Sequence, residues 1–133
     1  MANWYGHARS NYFRVKDKAE FVRWAESIGD LEIIEDDAGR VGLLSSSENG
    51  GWPYSRYAEE KDQEEEIDLL GGIASHLQEG SVAVLVEIGA ERSRYLTGYA
   101  HAVNSKGEVR RVSLDDIYEA AKPLGKEVLD ASY

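Results

Sequence analysis

The feature that most constrains the fold is the segment from Val82 to Ile88, in which six of the seven residues are apolar. A short apolar run of this kind is typical of a strand in the middle of a sheet. Its longest uninterrupted part has five residues, far short of the roughly 20 that a membrane-spanning helix needs. The sequence therefore predicts a sheet built around this strand. A chain of 133 residues fits one domain, which we expect to extend over residues 1–133.

A helix is predicted at Lys18–Ile28 from three separate signals. Asp17 stands at the N-cap position, and Glu20, three residues later, completes a capping box. Gly29 occupies the position at which helices often end in a glycine. Between these signals the apolar residues share one helical face, because they are spaced at i, i+3, i+4 and i+7. They are Phe21, Trp24, Ala25 and Ile28.

The other elements complete a mixed α+β pattern. Alternation and turn residues predict strands at 11–15, 31–35, 40–45, 82–88, 94–103 and 108–112. Helical spacing predicts a second helix that begins within 59–68 and ends near Gly80, and a short third helix around 117–124. The order β-α-β-β-α-β-β-β-α begins like the ferredoxin-like or split βαβ arrangement. We therefore expect an α+β fold whose antiparallel sheet carries its helices mainly on one face.

The longest irregular segment is predicted from Ser45 to Tyr57, where Gly, Pro and Asn residues break regular structure. A solvated loop does not need the aromatic residues Trp52, Tyr54 and Tyr57. Their side chains either fold back onto the core or form a binding surface. On a binding surface they would be anchors of the type that dominates interface energies.

An acidic segment follows the loop: seven of the ten residues from Glu59 to Asp68 are acidic. Apolar residues at helical spacing come after it, so it is predicted to form the first turns of the second helix. The helix macrodipole favours carboxylates near a helix N-terminus, but only within the first turn. It therefore does not account for the whole group. The members of this group are Glu59, Glu60, Asp62, Glu64, Glu65, Glu66 and Asp68.

The chain has a net charge of −10, from 25 acidic and 15 basic residues. This balance argues against binding to nucleic acid or anionic membranes, because both need a cationic surface. It favours a protein partner with a basic surface, although a merely solvated acidic surface is the more common case. A second acidic group would extend the array if both groups lie on one side of the fold. It consists of Glu26, Asp30, Glu32, Glu35, Asp36 and Asp37.

One face of the predicted strand at 94–103 is rich in aromatic side chains. Tyr95, Tyr99 and His101 lie on this face because their successive positions differ by four and two residues, both multiples of the two-residue period of a strand. Sheets with aromatic faces can stack nucleic-acid bases, but such binders also have a positively charged groove. Two alternatives remain. Other parts of the chain cover the face, or the face lines a small-molecule pocket together with Arg94 or Arg111.

The sequence contains no motif of a catalytic, cofactor or metal site. It has no cysteine, and its three histidines lie on different predicted elements. The G-x-S-x-G and S-x-x-K patterns of serine nucleophiles and the glycine-rich phosphate-binding loops are absent from it. We therefore expect a non-enzymatic protein with no cofactor and no metal ion. Because it shows neither a signal-peptide pattern nor a membrane span, we expect it in the cytoplasm.

Three segments carry a resemblance to known proteins: N-Y-F-R-V-K-D at Asn11–Asp17, G-G-W-P at Gly50–Pro53 and R-Y-L-T-G-Y-A at Arg94–Ala100. They resemble small acidic proteins carried by bacterial plasmids, integrative elements and phages. The resemblance spans most of the chain. It implies inhibition of a host defence system, as anti-CRISPR and anti-restriction proteins carry it out, and it implies no catalytic residue.

Together these features predict an acidic protein-binding module, and more narrowly an inhibitor of a bacterial nucleic-acid-handling defence complex. In this hypothesis the acidic segment 59–68 meets a basic groove on the partner, and the three loop aromatics anchor the contact. One alternative is a small-ligand-binding or enzymatic domain that uses Tyr95, Tyr99 and His101. Another is an oligomeric accessory protein, in which an exposed sheet edge pairs two copies of the chain.

Overall fold

The computed structural model describes residues 4–53, 55–58, 63–91 and 95–129. The strands are β1 Trp4–Ser10, β2 Leu31–Glu35, β3 Val41–Ser45, β4 Ser55–Ala58, β5 Gln63–Glu66, β6 Val82–Glu91, β7 Tyr95–Asn104 and β8 Val109–Ser113. The helices are α1 Lys18–Ile28, α2 Leu69–His76 and α3 Asp116–Ala121, and a 3-10 turn at Lys122–Leu124 follows α3.

Six strands form one antiparallel sheet in the order β2-β3-β1-β6-β7-β8, and β4 and β5 form a separate hairpin. The predicted α+β class with an antiparallel sheet is therefore confirmed. The ferredoxin-like arrangement is matched in part. β1 lies between β3 and β6, α1 follows β1, and α2 precedes β6. The order of elements differs from the prediction because the hairpin β4–β5 stands between β3 and α2.

Helix α1 has the bounds that the sequence predicts, because both of its ends carry local signals. The Asp17 side chain accepts a hydrogen bond from the Glu20 N–H at 3.1 Å. At the other end, Gly29 adopts a φ of 81°, a conformation that residues with a side chain rarely adopt. The apolar face between these ends is buried at Phe21, Ala25 and Ile28.

The prediction of a first strand at 11–15 is wrong, because the first strand is β1 at Trp4–Ser10. Segment 11–15 instead connects β1 to α1 and makes two isolated bridges, from Phe13 to Val41 and from Val15 to Leu77. Phe13 is 1% exposed. The alternation in this segment therefore reflects side chains that are buried in the core, not membership of the sheet.

The prediction that the acidic segment begins a helix is also wrong. Its residues 63–66 form β5 and pair with β4 at 55–58, which lies at the end of the predicted loop. Like charges three or four residues apart destabilise a helix, whereas successive side chains of a strand point to opposite faces. Four residues of the predicted site lie outside the described residues: Tyr54, Glu59, Glu60 and Asp62.

Helix α2 is correspondingly shorter than predicted. It begins at Leu69, after Asp68, whose side chain accepts a hydrogen bond from the Gly71 N–H at 3.0 Å. It ends at His76 and not near Gly80. Asp68 therefore acts as the N-cap of this helix, and the acidic residues before it belong to another element.

Strand β6 extends beyond Ile88, the end that the sequence predicts. Gly89 pairs with Thr97 of β7 and with Gly6 of β1, and β6 extends to Glu91. Gly89 therefore lies inside the sheet, with a paired strand on each side. The predicted strand at 94–103 is β7, which runs from Tyr95 to Asn104.

The core lies between the main sheet and the helices α1 and α2. The side of the sheet that these helices cover is called the inner face. Its buried members include Leu43 of β3, Leu85 of β6 and Val103 of β7. The two helices also touch each other, since the ring centroids of Trp24 and His76 are 5.3 Å apart. The prediction that helices lie mainly on one face holds for α1 and α2.

Candidate functional site

The side of the main sheet that points away from α1 and α2 is called the outer face. Paired residues of antiparallel strands share a face, so the strand register assigns its members. Its apolar members include Val82, Val84, Val86 and Ile88 of β6, Leu96, Ala100 and Ala102 of β7, and Val112 of β8. Its charged members include Arg9 of β1, Glu32 of β2 and Arg110 of β8.

The large apolar side chains of the outer face are exposed to solvent. Ile88 is 49% exposed, Leu96 53% and Val112 62%. By contrast, Leu85 on the inner face of β6 is 3% exposed. A solvated sheet face normally carries polar residues, and contiguous exposed apolar side chains mark interaction sites. The outer face is therefore a candidate site for a protein partner.

The apolar surface continues from the sheet onto the segment that leads into α3. The Leu114 N–H donates a hydrogen bond to the Gly98 carbonyl oxygen at 2.8 Å. The Leu114 side chain lies over Gly98, so a Cβ atom on Gly98 would be 2.9 Å from it. Leu114 and Ile117 are both exposed. They extend the apolar surface beyond the edge of β7.

A groove of about 610 Å³ lies at the β1 side of the outer face. Its lining combines the apolar side chains of Leu44, Val86 and Ile88 with the charged side chains of Arg9 and Glu48. Pockets that bind ligands or side chains are typically apolar with a few polar groups, and this groove has the same composition. The groove gives the outer face a concave region of about the size of a ligand or a large side chain.

A second cluster lies on the inner face, around the carboxylate of Glu87. One carboxylate oxygen accepts a hydrogen bond from the Trp52 backbone N–H at 2.8 Å. The other accepts a short hydrogen bond from the Tyr99 hydroxyl. Because Trp52 belongs to the loop and Glu87 and Tyr99 to the sheet, this carboxylate fastens the loop to strands β6 and β7.

His101 stands beside this cluster. Its ring meets the Tyr99 ring edge to face at a centroid distance of 5.5 Å, and the Arg111 guanidinium lies 5.4 Å from the centroid of the Tyr99 ring. Burial lowers the pKa of His101, the Arg111 charge lowers it further, and the Glu87 carboxylate opposes both. The imidazole is therefore neutral at pH 7, with one donor and one acceptor nitrogen.

A cavity of about 150 Å³ separates His101 from the loop and from helix α2. Trp52 is 6% exposed and belongs to the core. Its indole Nε1 is buried and has no hydrogen-bond partner within residues 4–53, 55–58, 63–91 and 95–129. A buried donor without a partner is costly and uncommon in proteins. The cavity is lined by Trp52, Ile67, Asp68, Leu69, Leu70, Leu85 and His101.

The predicted loop anchors fall into different places. Trp52 folds back onto the core, which was one of the two alternatives for this side chain. The backbone of Tyr57 lies in β4, where it pairs with Glu64 of β5. Tyr54 lies outside the described residues. Of the predicted aromatic face, Tyr99 and His101 are adjacent on the inner side of β7, and the backbone of Tyr95 pairs with Glu91.

The predicted acidic residues also lie in different elements of the fold. Glu64 and Glu65 have their backbone in β5, Glu66 is exposed, and Asp68 caps α2. In the second acidic group, Glu35 forms an ion pair with Lys18 at 2.6 Å. In the same group, Asp36 forms an ion pair with Arg40 at 2.6 Å, and it also accepts hydrogen bonds from the Ala38 and Arg40 backbone amides. Part of the second group therefore serves the fold itself.

Sequence reasoning missed the outer face and Glu87. The sequence does not mark the outer face as exposed, because Val82, Val84 and Val86 are as apolar as Ala83 and Leu85 between them. No signal marked Glu87, whose partners stand 35 and 12 residues away along the chain.

The described part of the chain contains no group of three or more His, Cys, Asp and Glu residues that could hold a metal ion. Within the same part, no helix is long and apolar enough to cross a membrane.

No protein-family model, no curated protein and no solved structure matches this chain.

Proposed function

We propose that this protein is a non-enzymatic protein-binding module that docks on its partner through the outer face of the main sheet. The observation that supports this proposal is the row of exposed apolar side chains at Ile88, Leu96 and Val112. Burial of apolar surface is favourable by roughly 25 cal/mol per Å². A partner that covers the outer face therefore gains binding energy that water cannot supply.

The charge of the chain defines the chemistry of the partner. The outer face carries Arg9 and Arg110 as well as Glu32, so charges of both signs border its apolar centre, while the whole chain has a net charge of −10. We propose a protein partner with an apolar patch that covers the centre of this face and with lysine and arginine residues that meet acidic residues elsewhere on the chain. Opposite charges around such a contact would increase the association rate and select the partner.

A narrower proposal follows from the resemblance of three segments to small acidic proteins of bacterial mobile elements. The partner would be a component of a nucleic-acid-handling defence complex, and this chain would inhibit it. A basic nucleic-acid groove has the charge that an acidic protein needs on its partner. In this proposal the hairpin β4–β5, with Glu64, Glu65 and Glu66, would occupy part of the groove.

The proposal is tested by affinity capture from a bacterial lysate, washed at low and high salt, with three variants beside the natural protein. In the outer-face variant, Val86, Ile88 and Val112 are each replaced by threonine, which keeps the β-branched shape and adds a polar group. The matched control is Val109→Thr, because Val109 is exposed on β8 but pairs with Val103 of the inner face. The third variant reverses the charge of Glu64, Glu65 and Glu66.

We expect the outer-face variant to lose the captured partner at both salt concentrations, while Val109→Thr retains it. The charge-reversal variant should weaken capture mainly at low salt, since salt screens exposed charges. Equal capture by the outer-face variant and the natural protein would exclude the outer face as the interface. If light scattering shows a dimer that only the outer-face variant dissociates, a second copy of the chain covers this face, and the oligomeric alternative replaces the proposal.

A further inference from the structure

We propose that the cavity between Trp52, helix α2 and strands β6 and β7 binds a small neutral molecule that has an apolar body and one hydroxyl or carbonyl group. This site lies on the inner face of the sheet. It is separate from the protein-binding face, and it does not depend on the function proposed above.

The size and the lining of the cavity define the body of the ligand. Leu69, Leu70 and Leu85 supply most of the apolar lining, together with Ile67. The cavity volume is about 150 Å³, and an apolar protein cavity of about this volume accommodates one benzene-sized molecule. The ligand therefore has a single ring or a short branched chain.

Trp52 defines the polar group of the ligand. Its Nε1 is a donor only, and it is buried without a partner in the described part of the chain. A hydroxyl or carbonyl oxygen in the cavity would accept this hydrogen bond and remove the cost of the unsatisfied donor. A protonated amine has no lone pair for this purpose, so the indole N–H selects against cations.

His101 supplies the second polar contact. Its side chain lines the cavity together with residues of α2. A neutral imidazole offers one donor and one acceptor, so it pairs with either a hydroxyl or a carbonyl group. Asp68 also lines the cavity, and its carboxylate would repel an anion. The apolar residues that line the rest of the cavity disfavour a charge of either sign, so we expect a neutral ligand.

The loop is already held in place for this role. Glu87 accepts the Trp52 backbone N–H at 2.8 Å and the Tyr99 hydroxyl, so Trp52 is fixed relative to β7. His101 lies two residues further along the same strand and contacts the Tyr99 ring. The two polar contacts of the cavity are thus joined through one carboxylate, which gives the site a defined geometry before a ligand enters.

The test uses phenol as the probe and benzene, which lacks the oxygen atom, as its control. The indole N–H signals of the three tryptophans are followed by nuclear magnetic resonance, and Trp52→Phe identifies the signal of Trp52. We expect phenol to shift the Trp52 signal in a saturable manner and to leave the Trp24 signal unchanged. Phenol should bind about tenfold more tightly than benzene, which is the contribution of a typical hydrogen bond.

Two variants of His101 separate polar recognition from simple filling of a cavity. His101→Leu removes both ring nitrogens at similar volume and should reduce the preference for phenol to the part that the Trp52 N–H supplies, while benzene binding is retained. His101→Gln keeps a donor and an acceptor and should retain the preference. Dispersion of the amide spectrum shows that each variant is folded.

Two outcomes would overturn the proposal. If neither probe gives a saturable shift of the Trp52 signal up to its solubility, the cavity binds no such molecule. If phenol and benzene bind with equal affinity and His101→Leu changes neither affinity, the cavity does not recognise the polar group of a ligand. Both results are independent of the outer-face variants, so failure here does not affect the protein-binding proposal.

Discussion

The two faces of the main sheet differ although the same strands build both. On the inner face of β6, Ala83 and Leu85 are buried under the helices, whereas on its outer face Val86 and Ile88 are exposed. All four residues are apolar, so the composition of the strand does not distinguish them. The difference lies in what the rest of the chain covers, because α1 and α2 lie on the same side of the sheet.

This contrast separates stability from binding. An apolar side chain that is buried on folding contributes to the free energy of unfolding, whereas one that stays exposed contributes only when a partner covers it. The inner face should therefore be sensitive to truncation, and the outer face should tolerate it.

The largest effect is expected when a side chain in the core between the inner face and helices α1 and α2 is truncated. Phe21 of α1 is 0% exposed, and its ring centroid lies 5.7 Å from that of Phe13. Phe21→Ala removes a buried ring and leaves a cavity, so it should lower the free energy of unfolding by about 3–5 kcal/mol. The matched outer-face change, Ile88→Ala, should lower it by less than about 1 kcal/mol. Urea denaturation followed by circular dichroism measures both.

If Ile88→Ala destabilises the isolated protein as much as Phe21→Ala does, the outer face is covered in solution, and the contrast between the faces disappears. Light scattering on the same sample then shows whether a second copy of the chain provides the cover. A small effect of Ile88→Ala together with a large effect of Phe21→Ala keeps the contrast.

The second effect concerns the contact between helices α1 and α2. A Cβ atom on Gly72 of α2 would lie 2.1 Å from the Cζ2 atom of Trp24 in α1. Gly72→Ala should therefore lower the free energy of unfolding by about 1–3 kcal/mol, although alanine is the better helix former by about 1 kcal/mol. In a Trp24→Ala background the same change should be neutral or stabilising, which a double-mutant cycle measures. Equal costs in both backgrounds would contradict the steric explanation.

Helix α1 shows which parts of this fold the sequence can predict. Its signals are local: Asp17 and Glu20 at the start, Gly29 at the end, and an apolar face between them. The acidic segment shows the opposite case. Its residues 63–66 become a strand only because 55–58 stand opposite them, and helical spacing in the residues that follow does not report this pairing. The N-cap at Asp68 was a local signal for the true start of α2, but the acidic residues before it masked that signal.

The candidate site follows the same division. The adjacency of Tyr99 and His101 follows from the period of a strand, and the sequence predicts it. The strand period does not predict which other residues contact Tyr99 and His101. Trp52 reaches β6 through Glu87, 35 residues away along the chain, and the bare outer face depends on where both helices pack. Contacts between residues that are distant in sequence therefore decide which apolar and aromatic side chains are buried.

The third effect concerns the attachment of the loop to the inner face. In Glu87→Gln, the amide nitrogen replaces one of the two acceptor oxygens that bond the Trp52 N–H and the Tyr99 hydroxyl. A lost hydrogen bond to a partly buried carboxylate should lower the free energy of unfolding by about 1–2 kcal/mol. The control is Glu48→Gln, an exposed carboxylate of the same loop. If both variants have the same stability, Glu87 does not hold the loop.

The smallest effect is a dependence of the free energy of unfolding on pH, which comes from His101 on the inner face. Burial and the Arg111 charge lower the pKa of His101 in the folded protein below its ordinary value of 6.5, against the attraction of Glu87. The unfolded chain therefore takes up a proton at a higher pH than the folded protein does, so stability falls as the pH decreases through about 6.5 and below. His101→Gln has no such group, and the difference in unfolding free energy between it and the natural protein should change in favour of the variant from about pH 7.5 to about pH 5.5. Comparison with this variant cancels the titration of carboxylates, which both proteins share. A difference that stays constant over this range would show that His101 has the same pKa in both states, and it would contradict the prediction.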